Sequence, residues 1–145
     1  MAATGHNATG RGKTVPEILG LAFGAIYLLV GIVGFFITGF DDFFAHNTNE
    51  TILGFEINGM HNVVHILIGL AGLALSRTLA GARTYGWLLA IGYGAAFVYG
   101  LIAMGKDWDF LSINTADNVL HIATAIVGLV IALLPVRNAV DNRRV

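Results

Sequence analysis

Side chains that are able to bind metals or move protons occur at two matching places in an otherwise apolar chain. Residues 57–65 read I-N-G-M-H-N-V-V-H, and 56 positions later residues 113–121 read I-N-T-A-D-N-V-L-H. Each stretch continues into a long apolar run. Ionisable residues inside apolar segments are rare and usually have a partner or a function. The repeated stretch is therefore the first place to look for a functional site.

The histidines and the carboxylate of these stretches are the side chains that a transition metal prefers. The candidate ligands, three imidazoles and one carboxylate, are His61, His65, Asp117 and His121. Such a set suits Zn²⁺, Fe²⁺ or Cu²⁺, with Asn62 and Asn118 as hydrogen-bonding partners of the ligands. In a variant of this hypothesis, His65 and His121 alone are the axial ligands of a haem held between helices.

A structural role explains the same residues without any ligand. Asp117 stands three residues after Asn114, which is the spacing of a helix capping box, and we favour a cap over a metal ligand for its carboxylate. The paired asparagines and histidines can hydrogen-bond across helices, because lipid provides no hydrophobic force to drive helices together. Handling of protons or small solutes is a third interpretation of His65 and His121.

Sequence signatures of enzymes are missing from the 145 residues. The chain contains no cysteine, no H-E-x-x-H motif and no glycine-rich phosphate loop after a strand. Its glycines lie in apolar segments, where they favour close helix packing. The sequence therefore favours a non-catalytic protein.

Composition places both polar stretches in a membrane protein. Hydrophobic residues make up 56% of the chain and charged residues only 12%, whereas a soluble domain has about 25% charged residues. A helix needs roughly 20 apolar residues to cross a bilayer. Four windows of about this length lack acidic and basic residues, namely 18–40, 57–76, 84–105 and 118–136. The prediction is an all-α, integral membrane four-helix bundle.

The predicted helices form two tandem helical-hairpin repeats. We expect one membrane domain over 14–137, between a flexible tail of residues 1–13 and a second tail of residues 138–145. The helices are predicted at about 15–39, 57–77, 84–105 and 115–136. Tyr27 in the first helix and Tyr93 in the third occupy matching positions, and both are expected to be interior tyrosines.

The distribution of basic residues predicts the topology. With both termini in the cytoplasm, the outer side has one basic residue, Lys106. The cytoplasmic side then has Arg11, Lys13, Arg77, Arg83, Arg137, Arg143 and Arg144. This asymmetry agrees with the positive-inside rule. Basic residues are otherwise sparse, which argues against nucleic-acid binding.

Three motifs resemble those of a known family. They are H-N-V-V-H at 61–65, D-N-V-L-H at 117–121 and G-F-E-I-N at 54–58. Over about residues 15–136 the chain resembles small bacterial four-helix membrane proteins catalogued as domain of unknown function 4383. The resemblance implies an integral protein of the bacterial cytoplasmic membrane, and it implies no activity.

The leading hypothesis is a non-catalytic accessory or assembly subunit with a buried Asn/His cluster near the outer face. Its expected partners are the lipid bilayer and either another membrane protein or further copies of itself. The alternative is a metal- or haem-binding membrane protein in redox or metal homeostasis, and a small-solute or proton carrier is the third class.

Overall fold

Four helices dominate the computed structural model, which describes residues 12–136. The helices are α1 (Val15–Thr38), α2 (Gly59–Leu75), α3 (Leu79–Ala103) and α4 (Thr115–Leu133). Between α1 and α2, strands β1 (Thr51–Ile52) and β2 (Phe55–Glu56) form a small antiparallel hairpin. The predicted all-α, four-helix architecture is thereby confirmed. The tails predicted at 1–13 and 138–145 lie almost entirely outside the described residues.

Side-chain caps determine where the helices begin. The Asn58 side chain accepts a hydrogen bond from the His61 backbone N–H at 2.8 Å, which starts α2. The Thr78 hydroxyl accepts one from the Gly81 N–H at 3.1 Å. A capped first turn satisfies backbone donors that the helix itself leaves unpaired. Because Thr78 supplies this cap, α3 begins at Leu79 and not at the predicted residue 84.

Three of the four helices, α1, α3 and α4, are long and apolar enough to cross a membrane by length and composition. Helix α2 is a shorter apolar helix of 17 residues. At 1.5 Å per residue it spans about 25 Å, less than the roughly 30 Å of a hydrocarbon core. The sequence predicted four membrane-crossing helices of similar length. Helix α2 is shorter because it is bounded by Asn58 as its N-cap and by Ser76 as its C-cap.

Glycines allow the helices to approach closely in two antiparallel pairs. In the pair α1–α2, a Cβ added at Gly24 would lie 2.8 Å from the Leu73 backbone nitrogen. In the pair α3–α4, a Cβ at Gly86 would lie 2.6 Å from the Ala132 backbone nitrogen. Small residues of this kind let transmembrane backbones touch. Contacts between the two pairs are far less extensive than contacts within each pair.

Charged residues separate to the two ends of the bundle. Lys13, Arg77 and Arg83 lie where α1 and α3 start and α2 ends, and the Lys13 ammonium donates to the Arg77 carbonyl at 3.4 Å. The loops at the opposite end contain the acidic residues Asp41, Asp42, Glu50, Asp107 and Asp109. The end with the caps of α2 and α4 is called the acidic end below.

Replacement of Gly24 by alanine tests the close packing of α1 on α2. We expect Gly24→Ala to lower the free energy of unfolding by about 1–3 kcal/mol, because the added methyl group must push the α2 backbone away. Gly94→Ala in α3 is the matched control, since nothing lies within 4 Å of a Cβ at that position. Unfolding in mixed detergent micelles measures both. Equal stability of the two variants would contradict the packing described.

Candidate functional site

The structure brings the three predicted histidines together inside the bundle. The ring centroids of His61 and His65, both on α2, are 4.5 Å apart, and the His121 ring on α4 lies 6.3 Å from that of His61. All three side chains are buried, with 3%, 7% and 4% of their surface exposed. Histidines of the two repeated stretches therefore meet in the interior and do not face lipid.

Two tyrosines complete a layer of rings to which all four helices contribute. Tyr27 of α1 stacks on Tyr93 of α3 with 5.2 Å between ring centroids. Tyr27 also packs on His65 at 5.2 Å, and Tyr93 packs on His121 at 5.5 Å. Together with His61, these residues form what is called the ring cluster below, namely Tyr27, His61, His65, Tyr93 and His121. Both tyrosines are buried, as the sequence predicted.

A hydrogen bond that the sequence analysis missed joins α1 to α4 beside the ring cluster. The Tyr27 hydroxyl lies 2.7 Å from the Thr124 hydroxyl, and Thr124 is buried. A signal was available, because Thr124 follows His121 by three residues and so shares its helix face. The bond crosses between the two helix pairs at their interface.

The imidazoles differ in how well their nitrogens are satisfied. Nδ1 of His61 lies 3.1 Å from the Leu111 backbone carbonyl in the loop before α4. Nδ1 of His65 and Nδ1 of His121 are buried and have no hydrogen-bond partner in the structure. Buried polar atoms without a partner are uncommon in proteins and call for an explanation.

Asp117 belongs to the cap of α4. Its Oδ2 accepts hydrogen bonds from the backbone N–H of Asn114 at 3.1 Å and of Glu56 at 3.0 Å. The Asn114 side chain in turn accepts from the Asp117 N–H at 3.0 Å, so the predicted capping box is present. The bond to Glu56 also attaches the β-hairpin to α4. Two backbone donors thus occupy one oxygen of the carboxylate that had been a candidate metal ligand.

A four-ligand metal site made of His61, His65, Asp117 and His121 receives no support from this geometry. Within residues 12–136, no group of three or more His, Cys, Asp or Glu side chains is arranged to hold a metal ion. The carboxylate of Asp117 points to backbone donors, and the His61 ring is tied to the Leu111 carbonyl. Haem ligation by His65 and His121 stays a prediction.

Asn62 and Asn118 pack against glycines of the neighbouring helix. The Asn62 side chain donates to the Thr38 hydroxyl at 3.0 Å and lies against Gly34, so it links α2 to α1. Asn118 lies against Gly100 in the same manner, which places it between α4 and α3. The sequence left two interpretations of these asparagines open, as partners of metal-binding histidines or as residues that hydrogen-bond across helices. The observed contacts join the two helices of each pair.

Interlocked loops close the acidic end of the bundle. The Asn58 side chain donates to the carbonyl of Ala45 at 2.7 Å and to that of Phe110 at 2.8 Å, so it ties together the loops that follow α1 and α3. The Ser112 hydroxyl donates to Glu56 at 2.6 Å. None of these loop contacts follows from the repeated motif, because they depend on how the two pairs dock.

Two cavities flank the ring cluster. A cavity of about 220 Å³ lies between α1, α4 and the β-hairpin, and a smaller one of about 150 Å³ lies between α2 and α3. The side chains that line both are His61, His65, Tyr93 and His121. The rings therefore form a wall between two spaces. Both spaces lie where the helix pairs meet, and contacts there are less extensive than those within a pair.

Comparison with known proteins identifies a family without an activity. The profile of the family described as Domain of unknown function (DUF4383) matches residues 17–134, a range that contains the whole ring cluster. This match confirms the resemblance noted in the sequence. No curated protein and no solved structure matches the chain. The description of the family indicates no catalytic or binding function.

Asp117 and Asp107 provide a matched pair for testing the cap of α4. Asp117→Ala should lower the free energy of unfolding by about 1–2 kcal/mol, because two backbone N–H groups lose their acceptor. Asp107→Ala should leave stability unchanged, since that side chain is 99% exposed and only approaches His46 at 3.8 Å. Reversible unfolding of both variants in the same detergent checks this. A stable Asp117→Ala variant would contradict a capping role.

A double-mutant cycle measures the bond between Tyr27 and Thr124. Tyr27→Phe and Thr124→Val each remove one hydroxyl, and each single variant leaves the other hydroxyl buried without its partner. We expect a coupling energy of about 1 kcal/mol between the two positions. The thermal unfolding of the four proteins in the cycle supplies the value. Additive effects would show that the bond does not hold α1 to α4.

Proposed function

We propose that this chain, which belongs to the family described as Domain of unknown function (DUF4383), is a non-catalytic integral membrane protein that serves as an accessory or assembly subunit. The polar residues in its interior hold the bundle in one arrangement. Its acidic end then presents a fixed surface to a second membrane protein.

The observation that carries this proposal is the long sequence separation of the internal hydrogen bonds. Tyr27 pairs with Thr124, 97 positions away, and His61 pairs with Leu111, 50 positions away. The Asn58 side chain reaches the Phe110 carbonyl, 52 positions away. Bonds of this kind fix one element relative to another.

The acidic end has the composition of a protein interface. Aromatic side chains are exposed there beside carboxylates, with exposed fractions of 60% for Phe44 and 54% for Trp108. Aromatic residues are enriched at interfaces because they bury a large area with little loss of side-chain freedom. Asp41 and Asp42 stand shortly before Phe44 in the chain, and Asp107 directly precedes Trp108, so the expected partner presents apolar and basic groups on the same side of the membrane.

The membrane setting is part of the proposal. We place the protein in the bacterial cytoplasmic membrane with both termini inside. Support comes from Lys13, Arg77 and Arg83, which lie at the end opposite the carboxylates. The chain is one membrane domain built from two tandem hairpins. In each hairpin a tyrosine of the first helix packs on a histidine of the second, Tyr27 on His65 and Tyr93 on His121.

Site-specific photocrosslinking in intact cells tests the accessory role. A crosslinking amino acid at Phe44 or Trp108 should capture one defined membrane protein, and loss of this chain should lower the abundance of that protein. The same amino acid at Leu29, which lies on the apolar surface of α1 and is 62% exposed, is the control and should capture none. The proposal is wrong if Phe44 and Trp108 capture no more than Leu29 does, or if the captured protein is equally abundant without this chain.

Analysis of the purified protein distinguishes the accessory role from the metal- or haem-binding alternative. We expect no stoichiometric metal, because Asp117 is engaged by backbone donors and His61 by the Leu111 carbonyl. We also expect no Soret band, because the accessory role needs no haem. Metal analysis and a visible absorption spectrum supply the answer. A bound metal or haem that disappears in His65→Ala and His121→Ala would favour a redox or metal-homeostasis protein.

A further inference from the structure

The ring cluster has a feature that holding the bundle together does not require. The larger cavity, of about 220 Å³, lies against it, and the cavity lining includes His65 and His121. These two side chains are 93% and 96% buried, respectively, by the exposures of 7% and 4%. The Nδ1 atom of each lacks a hydrogen-bond partner. The rings of both residues line the cavity, although these two Nδ1 atoms are themselves enclosed and do not open onto it.

The lining of this cavity separates into an apolar part and a polar part. Its apolar wall is formed by side chains of α1, α4 and the β-hairpin, among them Phe23, Ile26, Val30, Leu53 and Leu120. The polar part is formed by the ring cluster and Thr124. A small number of convergent polar groups in an apolar pocket is the usual composition of a small-molecule site.

The charges around the cavity favour a neutral ligand. Neither lysine nor arginine is among the residues that line it, and its one acidic residue, Asp117, is bound to the backbone of Asn114 and Glu56. A charged group taken into such a space would lose its hydration without gaining an opposite charge. Imidazoles and a hydroxyl instead offer hydrogen bonds to neutral oxygen atoms.

The size and the surfaces of the cavity favour a flat ring. A cavity of about 150 Å³ is known to hold benzene, so 220 Å³ has room for a substituted ring. Tyr27 and the histidines line the space, and aromatic groups pack on one another in stacked or edge-to-face geometry.

One side of the cavity reaches the apolar surface of the bundle. Ile26, which forms part of its wall, is 54% exposed on the apolar surface of α1. At the acidic end the β-hairpin forms part of the cavity wall, where Leu53 is 92% exposed. Asn114 fastens the hairpin to α4 by donating to the Gly54 carbonyl at 2.9 Å. A ligand that enters between α1 and α4 is therefore one that is dissolved in the membrane.

We propose that the cavity between α1, α4 and the β-hairpin binds a lipid-soluble molecule with a flat, uncharged, oxygen-bearing ring, of the quinone type, whose oxygen atoms accept hydrogen bonds from His65 and His121. The apolar chain of such a molecule leaves the cavity past Ile26 into the bilayer. This site is independent of the proposed accessory role, which concerns the acidic end.

Binding of decylubiquinone to the full chain in lipid nanodiscs tests this proposal. Equilibrium binding, corrected with empty nanodiscs of the same lipid, should show one saturable site per chain. His65→Ala and His121→Ala should each weaken binding roughly tenfold, the effect of one lost hydrogen bond. His46→Ala, which changes an exposed loop histidine, should leave the affinity unchanged.

A cavity-filling variant keeps the test decisive if the histidine variants fold poorly. Val30→Phe fills the space without removing a polar group and should abolish binding, whereas Leu29→Phe, on the neighbouring lipid-facing position, should have no effect. Circular dichroism and thermal unfolding verify that both variants fold. Decanol, which has a similar chain and no ring, should not compete. The proposal is overturned if binding does not saturate above empty nanodiscs, if Val30→Phe binds as tightly as Leu29→Phe, or if decanol competes equally.

Discussion

The need to pair polar groups away from water is the constraint on which this structure depends. Inside a bilayer an unpaired donor or acceptor costs far more free energy than at a wet surface. Buried polar residues such as Asn58, Asn62, Asp117 and Thr124 therefore bond to other parts of the protein. Most of these bonds join segments distant in sequence. The polar residues thus favour one arrangement of the helices, because lipid provides no hydrophobic force that would favour it over others.

Different residues form the contacts within the helix pairs and the contacts between them. Glycines such as Gly24 and Gly86 let helices touch within the pairs α1–α2 and α3–α4, which makes each pair compact. The interface between pairs is formed instead by the bulky rings of Tyr27, Tyr93 and the histidines. A cavity lies on each side of these rings. The ring cluster and its cavities therefore lie at the interface between the pairs and not within a pair.

This division separates two properties of the molecule. At the acidic end, hydrogen bonds of Asn58, Glu56 and Ser112 join the loops to one another. Aromatic side chains are exposed on these loops. The interior has the ring cluster and the cavity that its rings line. The accessory role that we propose concerns the first region and the ligand binding that we propose concerns the second, so the two proposals do not compete for the same residues.

The sequence alone determined the class of the protein. Low charge and long apolar windows required membrane helices, the Asn114–Asp117 spacing predicted a cap, and the repeated motif put histidines in the interior. These features are local, since they depend on residues within a few turns of one helix. Tertiary structure decided the rest. The bond of Asp117 to Glu56, the pairing of Tyr27 with Thr124 and the cavities arise where distant segments meet, and helical periodicity specifies which face is polar without specifying which residue lies opposite it.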